Sequence, residues 1–524
     1  MDTDIISKSI LISEGSPTVY QLRTKKEKFG TLTRLTVGEK KVEKANRTIL
    51  LVGETGAGKS ALINALFNYS MGVRFEDEVW FQIVDEEVDQ AGSQASVVMV
   101  YKLFGFESES LPYSLTIIDT PGYGNTRGIE HDVIISQRLI DLFRSEDGVQ
   151  EVHAAGLVMK ASDNRLSDRL MYVFNSVMSL FGNNMEKNIV ALITHSDGRK
   201  PKNPLQALEA SDVKCSRDDK NQPVYFLFNN CQHEDRTEER EHLKGAAETS
   251  ERGMRQFTDF LEKTEAQQLE KTVEVLNERI RLTACIQNLQ ERIKLTELKQ
   301  TQIREITRAM KVHEEEMNKN EKFALEVDEV YKEKEDISGG MWGLIFFKGA
   351  TCCTVCEENC HYPCTMAWYA QQCEVMKDGH CTSCTNKCPV SNHVKKKWIY
   401  VTKTKKVTRT VAEMKEKYEK NQTQKVENKS LSENLEEEMK RLTAEKLQLL
   451  NESYQHVVRL EQIALKVDSL STHVHLDFLI EKMKETGNTE KAQKLQEMKS
   501  REGEGTRAAL TYMMSKLNFA GKAE

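Results

Sequence analysis

The stretch "LLVGETGAGKSALINALF", residues 50–67, constrains the fold more than any other part of the chain. An apolar run precedes a G-x-x-x-x-G-K-S spacing, and a helix-forming run follows it. Glycines let the backbone bend so that successive N–H groups surround an anion, and the following helix points its positive end at the same place. The pattern predicts a strand, a phosphate-binding loop and a helix; the alternative is a glycine-rich turn with an incidental lysine. The loop residues expected to bind phosphate are Gly53, Glu54, Thr55, Gly56, Ala57, Gly58, Lys59, Ser60 and Ala61.

A second motif, "LTIIDTPGYGNTRG" at residues 115–128, completes a predicted catalytic set. Lys59 places a cation near the β and γ phosphates, and the Ser60 hydroxyl can ligate Mg²⁺. Asp119, at the end of an apolar run, can hold the water shell of the Mg²⁺ ion, and the Gly122 N–H can bind the γ-phosphate. Taken alone, the motif could also be a turn that ends a strand.

The sequence signals for the other parts of this predicted site are weaker. A further Mg²⁺ ligand is expected from Ser93 or Ser96. Tyr123 stands where many GTPases carry the glutamine that orients the attacking water, so slow hydrolysis, or hydrolysis aided by a partner or a second copy, is predicted. Arg127 could be such a group, although a surface arginine in a loop is the alternative.

The segment "ITHSDG", residues 193–198, follows an apolar strand at the place where nucleotide switch domains bind the base. The Asp197 carboxylate could accept the N1–H and N2–H₂ protons of guanine, and the His195 ring could lie on the purine. The alternative is a helix amino cap, since Ser196 and Asp197 are both good capping residues.

Short apolar runs alternate with helix-length segments from residue 46 to 262, which predicts a doubly wound α/β domain with a mostly parallel sheet. The phosphate loop, "DTPG", the Thr-His base motif and "FLFNN" together resemble the paraseptin-type GTPases, which include the GTPases of immunity-associated proteins and the chloroplast-import receptor GTPases. The resemblance implies GTP and Mg²⁺ as ligands, nucleotide-dependent homodimerisation, and a base pocket of His195 and Asp197 closed by Asn229 or Asn230. The immunity-associated group usually has a basic residue in place of His195.

Apolar residues step by threes and fours over residues 269–337 and again over 405–470, which is coiled-coil periodicity. Two arms of nearly equal length around a compact insert predict one antiparallel hairpin, about 100 Å long at 1.5 Å per residue. The alternative is two arms that form intermolecular coils. The predicted divisions are 1–45 (extension), 46–262 (GTPase domain), 263–340 (arm 1), 341–400 (cysteine module), 401–470 (arm 2) and 471–524 (helical tail).

Nine of the twelve cysteines lie between Cys352 and Cys388, which in a reducing compartment favours metal binding over disulfides. The spacing C-x₂-C-x₃-C occurs twice, and paired thiolates two residues apart suit tetrahedral Zn²⁺. We therefore expect two structural zinc ions at the tip of the hairpin; reduced cysteines packed as apolar groups, or a disulfide tip, are the alternatives. Cys352, Cys373 and His380 are the expected spares. The predicted ligands are Cys353, Cys356, Cys360, Cys364, Cys381, Cys384, Cys388 and His393.

A basic run from Lys395 to Arg409 follows the cysteines, with aromatic residues among the cations. It could contact nucleic acid or an anionic membrane, but a two-stranded exit from the module into arm 2 is favoured. An unidentified protein partner is expected at the arm or the module.

Composition limits the class of protein. Charged residues are 30% of the chain, and the net charge of −7 argues against a chain-wide nucleic-acid binder. The acidic start "MDTDIISKSI" and the absence of a long apolar run predict a cytoplasmic protein. The function predicted is slow GTP hydrolysis with signalling through the arm. The alternatives are a nucleotide-gated scaffold with negligible turnover and an ATP-dependent machine, which lacks a distal ATPase motif here.

Overall fold

The computed structural model divides the chain into two compact units. The first contains Met1–Leu276, Glu461–Leu470 and Met498–Glu524, and the second contains Asn277–Leu460 and Ser471–Glu497. The structure describes residues 3–29, 32–40, 43–84, 98–106, 111–120, 138–145, 147–163, 167–210, 212–312, 324–337, 349–364, 367, 369–410, 412–414, 416, 431–465 and 470–500. Among these residues, no helix is both long enough and apolar enough to span a membrane.

The first unit contains both helices and strands. Its helices are α1 (Thr3–Ser7), α2 (Lys59–Ser70), α3 (Asp168–Met178), α4 (Lys202–Ala210) and α5 (Arg240–Lys263). Its strands are β1 (Ile10–Ser13), β2 (Thr18–Gln21), β3 (Lys25–Phe29), β4 (Leu32–Val37), β5 (Asn46–Gly53), β6 (Val79–Gln82), β7 (Met99–Leu103), β8 (Ser114–Asp119), β9 (Glu151–Val152), β10 (Ala154–Lys160), β11 (Ile189–Thr194), β12 (Tyr225–Leu227) and β13 (Gln267–Gln268).

Eight of the described strands form one sheet in the order β12-β11-β10-β5-β8-β7-β4-β3. Neighbours are parallel except in the pairs β7–β8 and β3–β4. The central strands β5, β10 and β11 are buried along almost their whole length, as expected for strands with both faces covered. The predicted α/β domain with a mostly parallel sheet is confirmed.

The amino-terminal residues are part of this domain. Strands β3 and β4 extend the main sheet, while β1 and β2 form a second small sheet with β6. The sheet therefore begins before residue 46, where the sequence placed the domain boundary. Strand β3 is an edge strand with charged side chains, so its sequence lacks the apolar run that marks a buried strand.

Helix α6 (Glu270–Val312) begins in the first unit and continues through the second. The remaining elements are β14 (Ala324–Asp336), β15 (Gly349–Cys353), β16 (Glu358–Cys364), β17 (Met376–Lys377), β18 (His380–Cys381), β19 (His393–Lys396), β20 (Trp398–Thr410), α7 (Leu431–Ile463), α8 (Leu470–Glu485) and α9 (Thr489–Ser500).

Within the second unit, helices α6 and α7 run antiparallel. The early α6 residue Glu278 bonds to His456 near the end of α7. The late α6 residue Ile303 packs in one apolar cluster with Leu435, near the start of α7. This arrangement agrees with the predicted antiparallel pairing of the two helical tracts within one chain, and not with the alternative of intermolecular coils.

The predicted helical arms are wrong over residues 324–336 and 405–410. These residues form a two-stranded antiparallel ribbon of β14 and β20, paired without a register break from Ala324↔Thr410 to Asp336↔Trp398. The segment "WIYVTKTKKVTRT" is rich in β-branched and aromatic residues, which favour strands, whereas its partner "ALEVDEVYKEKED" is mostly charged. Charged residues between them gave the same spacing as a solvated helix.

The cysteine module, defined here as residues 349–397, is not at a helical tip. Its Ser383 Oγ donates to the Ala284 carbonyl oxygen at 3.4 Å, and Arg281 Nε of α6 donates to the Glu374 carbonyl oxygen at 2.9 Å. These positions lie near the beginning of α6. The ribbon reverses the chain direction, so the module packs against α6 instead of beyond its end.

Candidate nucleotide site and cysteine clusters

The predicted phosphate loop joins the end of β5 to the start of α2. Gly58 is the amino cap of α2 with φ 89°, a left-handed conformation that favours glycine. The ammonium group of Lys59 donates to the carbonyl oxygens of Gly53 and Glu54, both at 2.9 Å, and the side chain is buried. Lys59 therefore lies over the loop, where a phosphate would meet its charge.

Two threonines fix the loop against neighbouring strands. Thr194, the last residue of β11, donates from Oγ1 to the Ala57 carbonyl oxygen at 2.7 Å and also contacts the Met159 carbonyl oxygen at 3.2 Å. Thr120 Oγ1 donates to the Leu51 carbonyl oxygen at 2.8 Å. Both hydroxyls are buried. Residues at the ends of the neighbouring strands β8 and β11 therefore restrain the position of the loop and of the strand that leads into it.

The predicted Mg²⁺ residues lie at the same sheet edge. Asp119 ends β8 and pairs in register with Leu51 of β5, two residues before Gly53. Ser60 is the second residue of α2, and Ala61 follows it. Thr55 and Gly56 are the exposed part of the loop. Ser93, Ser96, Gly122, Tyr123 and Arg127 lie outside the described residues.

The predicted base residues follow β11. His195 has φ 50° and, like Asp197, is exposed. Asp197 Oδ1 accepts from the Arg199 backbone N–H at 3.0 Å. Helix α4 begins only at Lys202, so neither Ser196 nor Asp197 occupies its amino cap. The capping alternative is therefore not realised.

The two asparagines of "FLFNN" lie on the neighbouring chain segment. Ser196 N–H donates to the Phe228 carbonyl oxygen at 3.0 Å, which joins the base motif to the end of β12. The Asn229 N–H donates to Ser250 Oγ at 2.8 Å, and that hydroxyl donates to Asn230 Oδ1 at 2.9 Å. Both asparagines are half-buried beside the His195–Asp197 segment. Sequence reasoning missed Ser250 of α5, since nothing in a helix marks a serine as the partner of a distant loop.

The cysteine module brings its predicted ligands into two groups that share Cys384. Within each group, the possible ligand atoms lie within 4.8 Å of one another. The Sγ atoms of Cys356 and Cys388 are 3.7 Å apart, so they are not bonded as a disulfide. The first group is Cys353, Cys356, Cys384 and Cys388, and the second is Cys360, Cys381, Cys384 and His393.

Backbone N–H groups point at several of these sulfurs. The N–H groups of Ser383 and Cys384 contact Cys381 Sγ at 3.3 and 3.4 Å, and the Cys388 N–H contacts Cys384 Sγ at 3.2 Å. Hydrogen bonds from Cys356 and Cys360 also lower the pKa of Cys384. Such donors stabilise thiolate charge, and thiolates with one imidazole are the donors that Zn²⁺ prefers. The donor sets fit zinc.

Two predicted assignments in the module, those of Cys364 and Cys373, need revision, whereas Cys352 and His380 lie outside the groups as expected. Cys364 lies apart from both groups and beside Cys373, which the sequence classed as a spare; their Sγ atoms are 3.8 Å apart. Cys352 belongs to neither group and packs with Ala350 and Tyr400. His380 is exposed and belongs to neither group. Spacing alone could not show these pairings because β16 is extended, which places Cys364 about 13 Å along the strand from Cys360 at about 3.3 Å per residue.

The basic run Lys395–Arg409 is partly neutralised within the ribbon. Lys403 forms an ion pair with Glu333 at 2.6 Å, and Arg409 forms one with Glu329 at 2.8 Å. This is the two-stranded exit that the sequence favoured over a nucleic-acid or membrane surface.

Comparison with known proteins agrees with the site. Residues 47–249 match the sequence model of the AIG1 family. Among solved structures, Toc33 from Arabidopsis thaliana in complex with Mg²⁺ and GMPPNP is 14% identical, covering 43% of this chain and 88% of its own, with a TM-score of 0.29. Translation elongation factor SelB from Methanococcus maripaludis with GppNHp is 12% identical, covering 43% of this chain and 36% of its own, with a TM-score of 0.24. No curated protein matches the chain. The predicted resemblance is confirmed for this part of the chain: residues 47–249 form a P-loop GTPase domain that resembles the AIG1 family.

Proposed function

We propose that this chain is a GTP-binding protein that hydrolyses GTP slowly, dimerises through its GTPase domain when nucleotide is bound, and signals to a protein partner through its second unit. The GTPase domain would hold GTP and Mg²⁺. The second unit would hold structural zinc.

The observation that carries the proposal is the convergence of the phosphate loop, Asp119 and the base motif at one sheet edge. Thr194 ends the base strand and also bonds to Ala57 inside the loop at 2.7 Å. A nucleotide bound there would have its phosphates at the amino end of α2 and its base near the segment after Thr194. The loop N–H groups and Lys59 bind and orient the phosphates, and Ser60 and Asp119 hold Mg²⁺, which supplies charge neutralisation on the phosphate oxygens.

Guanine selection is assigned to Asp197. Its carboxylate is exposed and needs no rearrangement of a buried group to accept two N–H donors from a base. His195, in its left-handed conformation, projects from the strand end, where its ring can stack on a purine. Asn229 and Asn230 are held by Ser250 on the adjoining segment, which supports their assignment as the far side of the pocket.

Slow turnover and dimerisation rest on the AIG1 resemblance and on Tyr123 in place of the usual glutamine. A second copy of the chain would supply the group that orients the attacking water, which the isolated site lacks.

The zinc proposal rests on the two cysteine groups. Two four-coordinate ions require eight ligand positions, whereas the groups contain seven different residues, so Cys384 would serve as a ligand to both ions. Every donor is a cysteine or histidine, and neither group leaves an open position, which is typical of structural zinc.

A competition experiment tests the base assignment. Wild type and Asp197→Asn are each titrated with GTP, ATP and xanthosine triphosphate against a fluorescent guanine nucleotide. We expect Asp197→Asn to lose affinity for GTP and to gain affinity for xanthosine triphosphate. The carboxylate only accepts hydrogen bonds, whereas the amide also donates one, which suits the oxygen that xanthine has in place of the guanine amino group. Unchanged preference in the variant would remove Asp197 from the base pocket.

Turnover is tested by phosphate release per bound GTP at several protein concentrations. Specific activity that rises with concentration supports a GTPase activated by dimerisation. GTP that is retained unhydrolysed at every concentration would instead support the nucleotide-gated scaffold.

A further inference from the structure

A third cluster of metal-ligating side chains lies in the cysteine module, apart from the two groups that share Cys384. It consists of His361, Cys364, Cys373 and Glu374, whose possible ligand atoms lie within 4.8 Å of one another. His361 and Cys364 belong to β16, while Cys373 and Glu374 follow a short 3₁₀ turn. No residue is shared with the other groups.

The spacing of these atoms matches the edges of a metal-centred tetrahedron. The Sγ atoms of Cys364 and Cys373 are 3.8 Å apart, His361 Nδ1 is 3.2 Å from Cys373 Sγ, and the same nitrogen is 3.4 Å from Glu374 Oε2. Zinc bonds of about 2.3 Å to sulfur and about 2.0–2.2 Å to nitrogen or oxygen give tetrahedral edges of about 3.3–3.8 Å, so two of the three distances fall in this range and the His361–Cys373 distance is about 0.1 Å shorter. One ion fits between the four donors.

The burial of the cluster also favours a bound cation. Cys364, Cys373 and Glu374 are exposed by 0%, 2% and 5%. Thr351 Oγ1 donates to Cys364 Sγ at 3.4 Å, a hydrogen bond of the kind that orients a thiolate bound to a metal. Sulfur and carboxylate donors gathered out of water are costly unless a positive ion pairs with them. A disulfide does not account for the arrangement, because it would not use His361 or Glu374 and the sulfurs are too far apart.

We propose that His361, Cys364, Cys373 and Glu374 form a third metal site, which binds Zn²⁺ through two sulfurs, one imidazole nitrogen and one carboxylate oxygen. The carboxylate is the hardest and most readily exchanged of these ligands, so this ion leaves the protein before those held by cysteine and histidine alone. Glu374 also accepts the Arg281 bond of helix α6 through its carbonyl oxygen. The ion therefore fixes the segment by which the module contacts α6.

Zinc content of the purified full chain tests this site. Elemental analysis and native mass spectrometry are expected to give three zinc ions per wild-type chain and two for Cys373→Ser. Cys352→Ser is the matched control: Cys352 is equally buried in the same module but belongs to none of the three groups, and its sulfur donates to Asn359 Oδ1 and to the Trp398 carbonyl oxygen. It should retain three.

Glu374→Gln keeps the size of the side chain and so preserves the fold. Zinc release to a coloured chelator is expected to show one ion leaving at least about tenfold faster than any ion in the Cys352→Ser control. Even changes to residues that only hydrogen-bond to a metal ligand lower metal affinity by about 10–100-fold. Release kinetics identical to the control would overturn the site.

The wild-type zinc number separates this proposal from the two-zinc proposal above. Two ions, both retained in Cys373→Ser, overturn the third site alone. One ion that is lost in Cys373→Ser supports the third site and overturns the other two. A chain without zinc overturns both.

Discussion

Thr194 Oγ1 donates a hydrogen bond to the carbonyl oxygen of Ala57 at 2.7 Å, which joins the end of strand β11 to the interior of the phosphate loop. The two residues are far apart in the chain, and the bond is fully buried. The phosphate loop and the candidate base-binding segment are thereby joined by a bond within the protein itself.

Replacing Thr194 with valine removes this bond while keeping the shape of the side chain. The Ala57 carbonyl oxygen loses its buried donor, and we expect a loss of about 1–3 kcal/mol in the free energy of unfolding of the first unit. GTP affinity should fall as well. Urea unfolding and calorimetric titration measure the two effects. Thr194→Ser keeps the hydroxyl and should remain near wild type; equal losses in both variants would contradict the role of the bond.

The close contact between β5 and β10 requires glycine at position 53. A Cβ atom there would lie 2.5 Å from the Val158 carbonyl oxygen. We expect Gly53→Ala to destabilise the first unit by about 1–3 kcal/mol, as overpacking usually does, and to weaken GTP binding. Thermal unfolding provides the measurement. In Gly245→Ala, the new methyl group meets nothing within 4 Å, so this helical control should gain about 0.4–1 kcal/mol. A stable Gly53→Ala protein would show that the strands can separate.

His153 makes the first unit sensitive to acid. Burial, followed by the nearby charge of Arg47, lowers the pKa of His153 to about 4, and its Nδ1 accepts from the Thr48 N–H at 3.1 Å. Between pH 6.5 and 4 the unfolded state binds a proton that the folded state does not. Stability should therefore fall as the pH drops through this window, by about 3 kcal/mol in total at about 1.4 kcal/mol per unit.

The measurement is urea unfolding at pH 7 and pH 5. His153→Asn can still accept the Thr48 N–H but does not titrate, so its stability should change less between the two pH values than that of wild type. Parallel changes in both proteins would exclude His153 as the cause.

Arg292 connects three parts of the second unit. Its side chain on α6 is buried and forms ion pairs with Glu445 of α7 and with Glu358 of the cysteine module. Glu358 is also buried. We expect Arg292→Met to lower the free energy of unfolding of the second unit by about 3 kcal/mol, because it leaves the buried Glu358 carboxylate without the charge of Arg292.

Hydrogen exchange of the amides around residue 292 would report this loss. Adding Glu358→Gln to Arg292→Met should recover part of the stability, since the uncompensated charge is then absent. Arg441→Met is a suitable control, because Arg441 is 55% exposed in its ion pair with Glu438 and should cost about 0–1 kcal/mol. A loss as large in the control would contradict the role of burial.

The sequence predicted the GTPase domain well because its signals are local. The glycine spacing before Lys59 predicts the conformation of the phosphate loop. The apolar runs predict strands that are buried on both faces, as in a parallel sheet. The same locality explains what was missed in the site. Ser250 bonds to Asn229 and Asn230 across 21 and 20 residues, and no pattern near Ser250 marks it.

The second unit shows where periodicity misleads. Spaced apolar residues among charges occur both in a solvated helix and in an exposed ribbon, and the pairing of β14 with β20 decides between them because each strand satisfies the backbone hydrogen bonds of the other.

The sequence by itself determined that a phosphate loop, a candidate base motif and a cysteine module with the spacing of metal ligands are present, since each depends on residue types at fixed short spacings. Only the tertiary structure decided that Thr194 supports the phosphate loop, that the module packs against α6, and that Cys364 lies with Cys373 instead of with the shared Cys384 groups. These relationships depend on which distant segments fold against one another. That outcome is set by burial and by the pairing of backbone and side-chain groups over the whole unit, and no short stretch of residues contains it.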